Sequence, residues 1–499
     1  MNLGQARVRL VQAGAALAAA ALIAGCGSQY RPVVTPINPS GPASQPSSLA
    51  VVVSAPSPTT AGIATIIDYS GDTVVASAPI GPGPSAFTLD ANGSTGYTVN
   101  SDGTLTNFPA TSSLQAKNVN YTTLPSTAEP VNLFSPSSGL WAADLCGTSS
   151  TSSVCQSVAD VFTGSPQAFK LTVPLALTPV SIVGPTGSGQ RDFAITQNFS
   201  DPSGVACNAS PTTITVNGEV DTLEFTNTVS ARIPVGICPV YGIESNDGKR
   251  LFVLNRGSDT VSVINAQNNT LDTCTPFTDP NTGRTVTCHP SLPLSTTAGL
   301  AQDAKNDVPK VAGPVYAEYN IATNQLIVAD YDGGTISMID VSLDEYGNDS
   351  ATFGTTYTIP VGNNPASVTV LYDGSRAYTA NQADQTVTIA NLTSHTAEKT
   401  LSVVGHPRTV VSTQNSSYGK VYVASPDSPY VTIIRTDQDI VDTTILVEGN
   451  VVDVRVGTQN AVSGNSNTTS RIPGYGQPCN LPGAAVAASK TTCQRLPQP

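Results

Sequence analysis

The sequence predicts an all-β protein whose four-stranded sheets form a closed ring, a β-propeller, and two observations lead to this prediction. First, a turn marked by Gly and Pro is followed seven times by the same run of short apolar strands, at intervals of roughly 40 to 75 residues. Second, only 11% of the residues are charged, while 41 Gly and 38 Pro are present, which favours short strands and tight turns over helices. The marking prolines are Pro84, Pro130, Pro179, Pro239, Pro314, Pro365 and Pro407.

The repeat that begins at Pro239 shows the pattern most clearly. Runs of apolar residues predict strands over 240–244, 251–255 and 260–265. Between the first two strands, the Asp-Gly pair Asp247-Gly248 is typical of a type I′ hairpin turn, in which both central residues have positive φ angles. A single sheet of this kind cannot bury both of its faces, so neighbouring repeats must stack against one another.

Three later repeats contain the same strands. The predicted strands are 326–330, 335–340, 366–371, 377–381, 386–391, 421–425 and 431–435. Together with the Pro239 repeat, these segments resemble the YVTN-type β-propeller repeat family over residues 235–447, because an aromatic-Val-x-Asn strand precedes a Thr-Val-Ser-Val-Ile-Asp strand. The likeness is weaker over 80–234, where 96–100 matches best. It implies that the repeated Tyr packs between sheets and that the repeated Asn satisfies turn backbone.

The two ends of the chain predict how the ring closes. Residues 49–54, 63–69 and 72–78 read as three strands that lack a first strand, and 451–456 reads as a first strand without followers. Their pairing would complete one more blade and remove two exposed sheet edges. Seven full repeats and this composite favour eight blades within a propeller of residues 49–456, although the resembling family usually has seven.

The N-terminal residues predict export and membrane attachment. Arg7 and Arg9 precede an apolar stretch from Val11 to Ala24, which suits the hydrophobic region of a signal peptide over residues 1–25 and is short for a membrane span. Residues 22–26, Leu-Ile-Ala-Gly-Cys, resemble a bacterial lipobox, which implies lipidation of Cys26. The alternative is an ordinary signal peptide in which the cysteine occurs by chance.

The residues after Cys26 predict a tether and a location. Residues 26–48 are rich in Pro and Ser, as expected for an extended linker that could span roughly 60 Å. The absence of Asp after Cys26 favours the outer membrane or the periplasm-facing envelope. Residues 457–499 are polar and rich in Gly and Pro, and we expect them to form a C-terminal tail.

Eight further cysteines in an exported chain predict disulfide bonds. They allow about 105 connectivities, so the sequence alone leaves the pairing open. Pairing between nearest neighbours is the hypothesis that we carry forward, since each bond would then close one loop. The candidates are Cys146 with Cys155, Cys207 with Cys238, Cys274 with Cys288, and Cys479 with Cys493.

Charge and composition argue against several classes of ligand. The net charge of −13, without a basic stripe, would repel a phosphate backbone, so nucleic acid is not an expected partner. Three histidines and the absence of CxxC pairs predict no metal site, and no cofactor is expected. The Asp-Gly pairs lack the acidic series of a calcium loop and are better read as hairpin turns. Trp141, within the apolar run 140–144, is expected in the core, and the protein is expected to be a monomer.

The candidate functional residues lie on the predicted first strands, which line the central channel of a propeller. The charged residues there are few: Glu244, Glu318, Arg408, Asp453 and Arg455. Glu318 and Arg408 could shape a polar pocket, or they could pair with one another. The insertion 273–312 and the Ser/Thr-rich segments 145–157 and 198–218 interrupt the repeats, and loops of this kind often bind partners.

Two functions follow from these features. The first is a lipid-anchored binding or scaffold module for a protein or glycan partner of the cell envelope, which requires no catalytic residues. The second is a lactonase-like hydrolase, since some related propellers open sugar lactones. That reaction would need an acid, a base and a cation gathered in the channel, for which Glu318, Arg408, Asp453 and Arg455 are the candidates.

Overall fold

The protein is described by a computed structural model over residues 48–136, 139–147, 156–184, 191–198, 216–294, 312–414 and 416–458. The regular secondary structure of these residues is β-strand, apart from one 3-10 turn, Ala116–Asn118. The expected signal segment 1–25, the tether except Ser48, and the tail beyond Thr458 lie outside the described residues. Over the same residues, no helix has the length and apolar character needed to cross a bilayer.

The described strands form eight antiparallel sheets of four strands each, one of which gains a fifth short strand, and this confirms the prediction of an eight-bladed propeller. We number the blades 1 to 8 and call the strands of each blade A to D, from the innermost outwards. Blade 8 is assembled from both ends of the chain and contains the last strand, β35 (Asn450–Thr458), together with β1 (Ser48–Ala55), β2 (Ala61–Asp68) and β3 (Thr73–Pro82).

Blades 1 to 7 follow one another along the chain. Blade 1 contains β4 (Ala86–Leu89), β5 (Thr95–Val99), β6 (Thr104–Pro109) and β7 (Asn120–Thr123). Blade 2 contains β8 (Pro130–Phe134), β9 (Leu140–Gly147), β10 (Gln156–Thr163) and β11 (Ala168–Pro174). Blade 3 contains β12 (Thr178–Val183), β13 (Asp192–Gln197), β14 (Asn217–Glu224) and β15 (Thr228–Ile237). Blade 4 contains β16 (Pro239–Glu244), β17 (Arg250–Asn255), β18 (Thr260–Asn265) and β19 (Thr270–Leu271).

The remaining strands complete the ring. An insertion within blade 4 contains β20 (Phe277–Thr278), β21 (Thr285–Val286) and β22 (Ser291–Pro293). Blade 5 contains β23 (Pro314–Asn320), β24 (Gln325–Asp330), β25 (Thr335–Asp340) and β26 (Thr356–Pro360). Blade 6 contains β27 (Pro365–Val370), β28 (Arg376–Asn381), β29 (Thr386–Asn391) and β30 (Thr396–Ser402). Blade 7 contains β31 (Thr409–Ser412), β32 (Lys420–Ala424), β33 (Tyr430–Arg435) and β34 (Ile440–Leu446). The last strand is β35 (Asn450–Thr458).

The composite blade closes the ring as the ends of the sequence predict. Strand β1 pairs with β2 on one side and with β35 on the other, in a register that places Val52 opposite Val454. Each A strand contacts the A strands of both neighbouring blades, and β35 completes the circle between β31 and β4. Pairing of the two ends leaves β1 with no free edge, which removes a surface that could pair with another chain.

The hydrophobic core consists of layers between adjacent sheets. The layer between blades 2 and 3 contains Trp141, which packs with Ala194 and Leu223 and confirms the core position predicted for it. Its indole N–H also donates a 2.7 Å hydrogen bond to Oδ2 of Asp192, so the buried nitrogen is satisfied. Separate layers join blades 8 and 1, blades 3 and 4, and blades 6 and 7.

The repeated Tyr and Asn are structural, as the resemblance implies. Tyr378 and Tyr422, on the B strands of blades 6 and 7, are fully buried. Asn255, at the end of the B strand of blade 4, donates through Nδ2 to the carbonyl of Thr260 and to Oγ of Ser262. Asn381 makes the corresponding bond to Thr388 in blade 6. The amide therefore joins strands B and C where the chain turns.

The turn at residues 246–249 differs from the type I′ turn predicted for it. Gly248 has a φ of +65°, but Asp247 is not among the residues with positive φ. The amide of Gly248 donates to the carbonyl of Ser245, and the Asp247 carboxylate accepts from Ser245 Oγ and from the backbone of Lys249. Because the aspartate can bond to its own turn, one glycine with positive φ is sufficient to reverse the chain.

The long insertion interrupts the outermost strand of blade 4. Both β19 and β22 pair with β18, and the residues between them form the small hairpin β20–β21. The Cys274–Cys288 disulfide, one of the four predicted bonds, closes this excursion with a Cα–Cα distance of 5.5 Å. Cys146 and Cys238 are also disulfide-bonded. Their expected partners Cys155 and Cys207, and the pair Cys479 and Cys493, lie outside the described residues.

The meander within each blade defines two faces of the ring. The A–B and C–D loops lie on one face, which we call the A–B face, and the B–C loops and the D–A connections lie on the other, the B–C face. Strand β1 begins at Ser48 and β35 ends at Thr458, and these two residues are register partners on the A–B face. The preceding and following segments of the chain therefore both join the propeller at this face.

Candidate functional site

The predicted channel residues bond to the backbone of neighbouring inner strands. Oε2 of Glu318, in blade 5, accepts a 3.0 Å hydrogen bond from the amide of Val370, in blade 6. Arg408 lies just before β31 of blade 7 and donates through Nη2 to the carbonyl of Val452, in blade 8. The structure thus places Glu318 and Arg408 at two different blade junctions.

Asp453 and Arg455 lie together on β35. Their side chains form an ion pair of 3.0 Å, and Arg455 also donates to the carbonyl of Phe87 in blade 1 at 3.3 Å. Arg455 is fully buried, so both charges depend on this pairing. Glu244 is buried at the end of β16, where desolvation, with a further contribution from the charge of Asp192, raises the pKa of its carboxyl well above the ordinary value.

At other junctions, neutral side chains also bond to the backbone of the neighbouring inner strand. Asn132 of blade 2 accepts from the amide of Ile182 in blade 3, and Ser367 of blade 6 accepts from the amide of Val410 in blade 7. An inner strand has no partner strand on its channel side, so its backbone groups need other partners. The polar residues of the A strands supply them, which gives these residues a structural role.

A second set of inter-blade contacts lies on the A–B face. Arg376 begins the B strand of blade 6, and its Nη1 lies 2.5 Å from Oδ2 of Asp439, in the C–D turn of blade 7. Lys420 begins the B strand of blade 7 and pairs in the same way with Asp72 of blade 8. Arg191, just before the B strand of blade 3, donates to the carbonyl of Gln267 in blade 4.

Sequence reasoning missed these inter-blade clamps, although the sequence contains a signal for them. A basic residue stands at or just before the start of the B strand in several repeats: Arg191, Arg250, Arg376 and Lys420. Arg250 also points towards the next blade, where it lies 3.7 Å from Asp349. The repeated position of the cation predicts a common role. The cations Arg250, Arg376 and Lys420 each face a carboxylate in the C–D loop of the next blade, whereas Arg191 meets the carbonyl of Gln267 there.

The clamp of Arg376 supports two exposed tyrosines, which we call the tyrosine platform. Tyr372 and Tyr418 lie on the A–B loops of the adjacent blades 6 and 7 and are 63% and 55% exposed. The amide of Tyr372 donates to the carbonyl of Gln414 at 2.7 Å, and Arg376 donates through Nη2 to the carbonyl of Ser416 at 3.1 Å. The two loops are thus bonded to each other and to a partly buried arginine.

The groups around the platform are polar, and the carboxylate beside it is held ionised. Partial burial would raise the pKa of Asp373, but hydrogen bonds from Ser416 and Ser375 outweigh this effect and lower the pKa below its ordinary value. Beneath the loops, burial and a hydrogen bond to Asp439 raise the pKa of Tyr378, so its hydroxyl remains a donor. The platform therefore offers two flat rings, with an anionic acceptor next to Tyr372.

Exposed aromatic rings are concentrated on this face. Besides the platform, Phe225 lies in the C–D turn of blade 3 and Tyr346 in the C–D loop of blade 5, and both are exposed. Of the other exposed aromatic rings among the described residues, Tyr430 lies on the B–C face at the start of β33, Tyr121, Phe169 and Tyr357 lie on outermost strands, and Phe277 lies in the insertion. Aromatic rings left in water at loop tips are more informative than scattered apolar residues.

The histidines are distributed over separate contacts. His289, in the insertion, bonds to Asp349; His406 bonds to Asp427 on the B–C face; and the ring of His395 stacks on that of Tyr357. Within the described part of the chain, no group of three or more His, Cys, Asp or Glu side chains is placed to hold a metal ion.

These features define an eight-bladed β-propeller with a polar inner ring and an aromatic loop face. No family model matches the sequence, and a search of curated proteins finds no match. Among solved structures, the dihydro-heme d1 dehydrogenase NirN in complex with DHE is similar at 13% identity, with a TM-score of 0.53, over 85% of this chain and 78% of that one.

A second similar structure is AztD from Citrobacter koseri, at 10% identity and a TM-score of 0.52, over 82% of this chain and 97% of that one. Its apo form gives 11% identity and a TM-score of 0.51. At these identities the likeness concerns the fold alone. A 6-phosphogluconolactonase-type structure from Bacteroides fragilis has a TM-score of 0.49 at 15% identity, which is too low to carry an argument.

Proposed function

We propose that this protein is a lipid-anchored β-propeller of the bacterial cell envelope that binds a glycan through its A–B face. The observation that carries the proposal is the tyrosine platform, Tyr372 and Tyr418, which exposes two rings on loops that are fixed to each other. Among the described residues of the ring, this platform combines solvent-exposed aromatic rings with loops that are hydrogen-bonded to each other.

The chemistry of the platform suits a sugar. The flat face of a tyrosine ring covers the C–H groups of a pyranose ring, and adjacent carboxylate and hydroxyl groups accept and donate to sugar hydroxyls. Asp373, Ser375 and Ser416 supply such groups beside Tyr372 and Tyr418. Because the loops are already ordered, binding would lose little conformational entropy.

The anchor is the second part of the proposal. The lipobox at residues 22–26 supports lipidation of Cys26 and placement at the outer membrane, and the Pro/Ser-rich segment after it supports a tether. The tether joins the ring at Ser48, on the A–B face. We also propose that the repeats of 235–447 belong to the YVTN type, since the buried Tyr and bonded Asn behave as that resemblance implies.

Removal of both platform rings is expected to weaken glycan binding. In a soluble form that starts at Ser28, Tyr372→Ser combined with Tyr418→Ser should lower affinity for isolated envelope glycans at least about tenfold, or about 1.4 kcal/mol, because two stacking surfaces are lost. Sedimentation with peptidoglycan and with outer-membrane polysaccharide measures this. The matched control is Tyr121→Ser with Tyr357→Ser, two exposed tyrosines on outer strands.

The outcomes separate the two kinds of partner. Unchanged glycan binding in the platform variant would contradict the proposal. The wild-type chain could instead retain an envelope protein and no glycan. If the platform variant then loses that protein, the A–B face binds a protein partner. Equal losses in the platform and control variants would indicate a non-specific effect of removing tyrosine.

Substitution of Cys26 is expected to release the protein from membranes. Cys26→Ala removes the thiol that would carry the lipid, so no acyl chain is attached there and the protein should move almost completely to the soluble envelope fraction. Fractionation with an immunoblot measures the change, and Ser28→Ala is the matched control. Continued sedimentation of Cys26→Ala with membranes would show that another feature anchors the chain.

The alternative of a lactonase-like hydrolase has less support. The channel residues that would form its site each bond to a blade junction: Glu318 to Val370, Arg408 to Val452, and Arg455 to Asp453 and Phe87. Groups that hold the ring together are poorly placed to exchange partners during a reaction. Opening of a sugar lactone by the purified protein, with loss of that activity in Glu318→Gln, would favour this alternative.

A further inference from the structure

The junction of strands B and C follows one chemical rule in several blades. The last residue of strand B and the third residue of strand C lie side by side, and one of them donates a hydrogen bond to the other. In blade 4 the pair is Asn255 and Ser262, and in blade 5 it is Asp330 and Ser337, where the hydroxyl donates to the carboxylate at 2.6 Å. Every such pair therefore contains at least one hydrogen-bond donor.

Blade 2, whose strands B and C extend further, has two carboxyl groups at the positions that are equivalent in register. In blade 4, Ser262 is paired in register with the residue two positions before Asn255. In blade 2, Asp160 is paired with Ala142, two positions before Asp144. Asp144 and Asp160 thus occupy the sites of the amide and the hydroxyl, and both are fully buried.

The two carboxyl groups differ in their surroundings. Oδ1 of Asp144 accepts backbone hydrogen bonds from Glu129 at 2.6 Å and from Cys146 at 2.9 Å. Oδ2 of Asp144 and both oxygens of Asp160 receive no hydrogen bond from any described donor. Two N–H groups stabilise a negative charge on Asp144, whereas nothing comparable stabilises one on Asp160.

We infer that Asp160 carries a proton and donates it to Oδ2 of Asp144, so that blade 2 contains a binding site for one proton. The shared proton takes the place of the amide or hydroxyl hydrogen that joins strands B and C in the other blades. Two adjacent buried carboxylates would otherwise repel each other without a compensating cation. Unlike the glycan proposal, this inference concerns blade 2 alone and does not depend on it.

The surroundings of Asp160 also favour its protonated form. Burial raises the pKa of Asp160 to about 9, and the neighbouring Asp144 contributes to the rise. Burial also raises the pKa of Asp144, its backbone bonds oppose the rise, and the charge of Glu129 adds to it. Among the described residues, the main groups that act on either carboxyl are hydrogen-bond donors and other carboxyls, and none of them is a cation. The shared proton therefore takes the place that a cation would have in an ion pair.

The site makes blade 2 sensitive to pH. A carboxyl whose pKa is raised by folding contributes stability that is complete below its ordinary pKa, near 3.8, and is lost as pH rises through about 9. Strands β9 and β10 should thus be held most firmly in acid. Protonation of the pair therefore controls how firmly β9 and β10 are held together.

Amide hydrogen exchange of the complete protein tests the inference. After correction for intrinsic exchange, the opening constant of β9 and β10 in the wild type should rise by about tenfold per pH unit between pH 6 and pH 8, because one proton is released on opening. In Asp160→Asn, whose amide can donate to Asp144, this slope should fall by about one proton. Strands β28 and β29, which carry the Asn381–Thr388 pair, are the internal control.

A second variant guards against misfolding. Asp144→Asn with Asp160→Ser gives blade 2 the pair found in blade 4, and it should show the same reduced slope as Asp160→Asn. Equal slopes in the wild type and in both variants would overturn the inference. A wild-type slope for β9 and β10 no steeper than that of β28 and β29 would overturn it as well.

Discussion

Arg455→Ala is expected to lower the free energy of unfolding by about 3 to 5 kcal/mol, the range found when one partner of a buried ion pair is removed. Arg455 is fully buried in β35, pairs with Asp453 at 3.0 Å and donates to the carbonyl of Phe87. Its loss leaves a buried carboxylate without a counter-charge and removes a bond between blades 8 and 1. Thermal and denaturant unfolding, monitored by circular dichroism, measure the change.

The chain offers a matched control for this prediction. Arg435 pairs with Asp437 at 2.5 Å, but both side chains are about one third exposed, so Arg435→Ala should cost less than about 1 kcal/mol. Arg455→Ala combined with Asp453→Ala should recover part of the loss, since the isolated charge is gone. A loss below about 1 kcal/mol in Arg455→Ala would show that ring closure does not depend on this pair.

Arg376→Ala is expected to cost about 2 to 4 kcal/mol and to weaken glycan binding as well, because the same side chain stabilises the blade junction and the tyrosine platform. Arg376 contacts Asp439 at 2.5 Å and donates to the carbonyls of Thr436 and Ser416. Its loss frees the loop that carries Tyr418. Unfolding experiments measure the first effect, and sedimentation with envelope glycans measures the second.

A conservative variant separates the two roles of Arg376. Lysine keeps the charge but cannot reach three acceptors at once, so Arg376→Lys should retain much of the stability and lose more of the binding. If Arg376→Ala lowers stability but leaves glycan affinity unchanged, the ordered loops are not required for binding. If neither quantity changes, the clamp is not a significant contact.

The sequence carried enough information for the fold because the relevant signals are local. Apolar runs between Gly, Pro and Asp-Gly turns place the strands within one or two residues, as in the predicted 260–265 and the observed Thr260–Asn265. The composite blade could also be predicted. The N-terminal end supplies three strands that lack an innermost strand, and the C-terminal end supplies an innermost strand that lacks the other three. Turn type was less accessible: the side-chain bonds of Asp247 decide it, and no residue pattern specifies them.

The candidate site was harder to predict because its parts are distant in the sequence. Arg376 meets Asp439 only because successive blades lie side by side, and the two residues are 63 positions apart along the chain. Glu318 and Arg408 bond to backbone groups of neighbouring blades, and partners of that kind carry no sequence signal. The Asp144–Asp160 pair becomes visible only when strand register shows that it replaces an amide and a hydroxyl.

The order of synthesis gives the composite blade a consequence for folding. Strand β1 is among the first segments made, and its partner β35 is the last strand of the propeller to be made, so the final pairing must wait for almost the whole chain. Until then a nascent molecule presents an open strand edge on which another copy could assemble. A premature stop before residue 450 would leave that hazard permanent, which gives complete translation a direct bearing on the solubility of this protein.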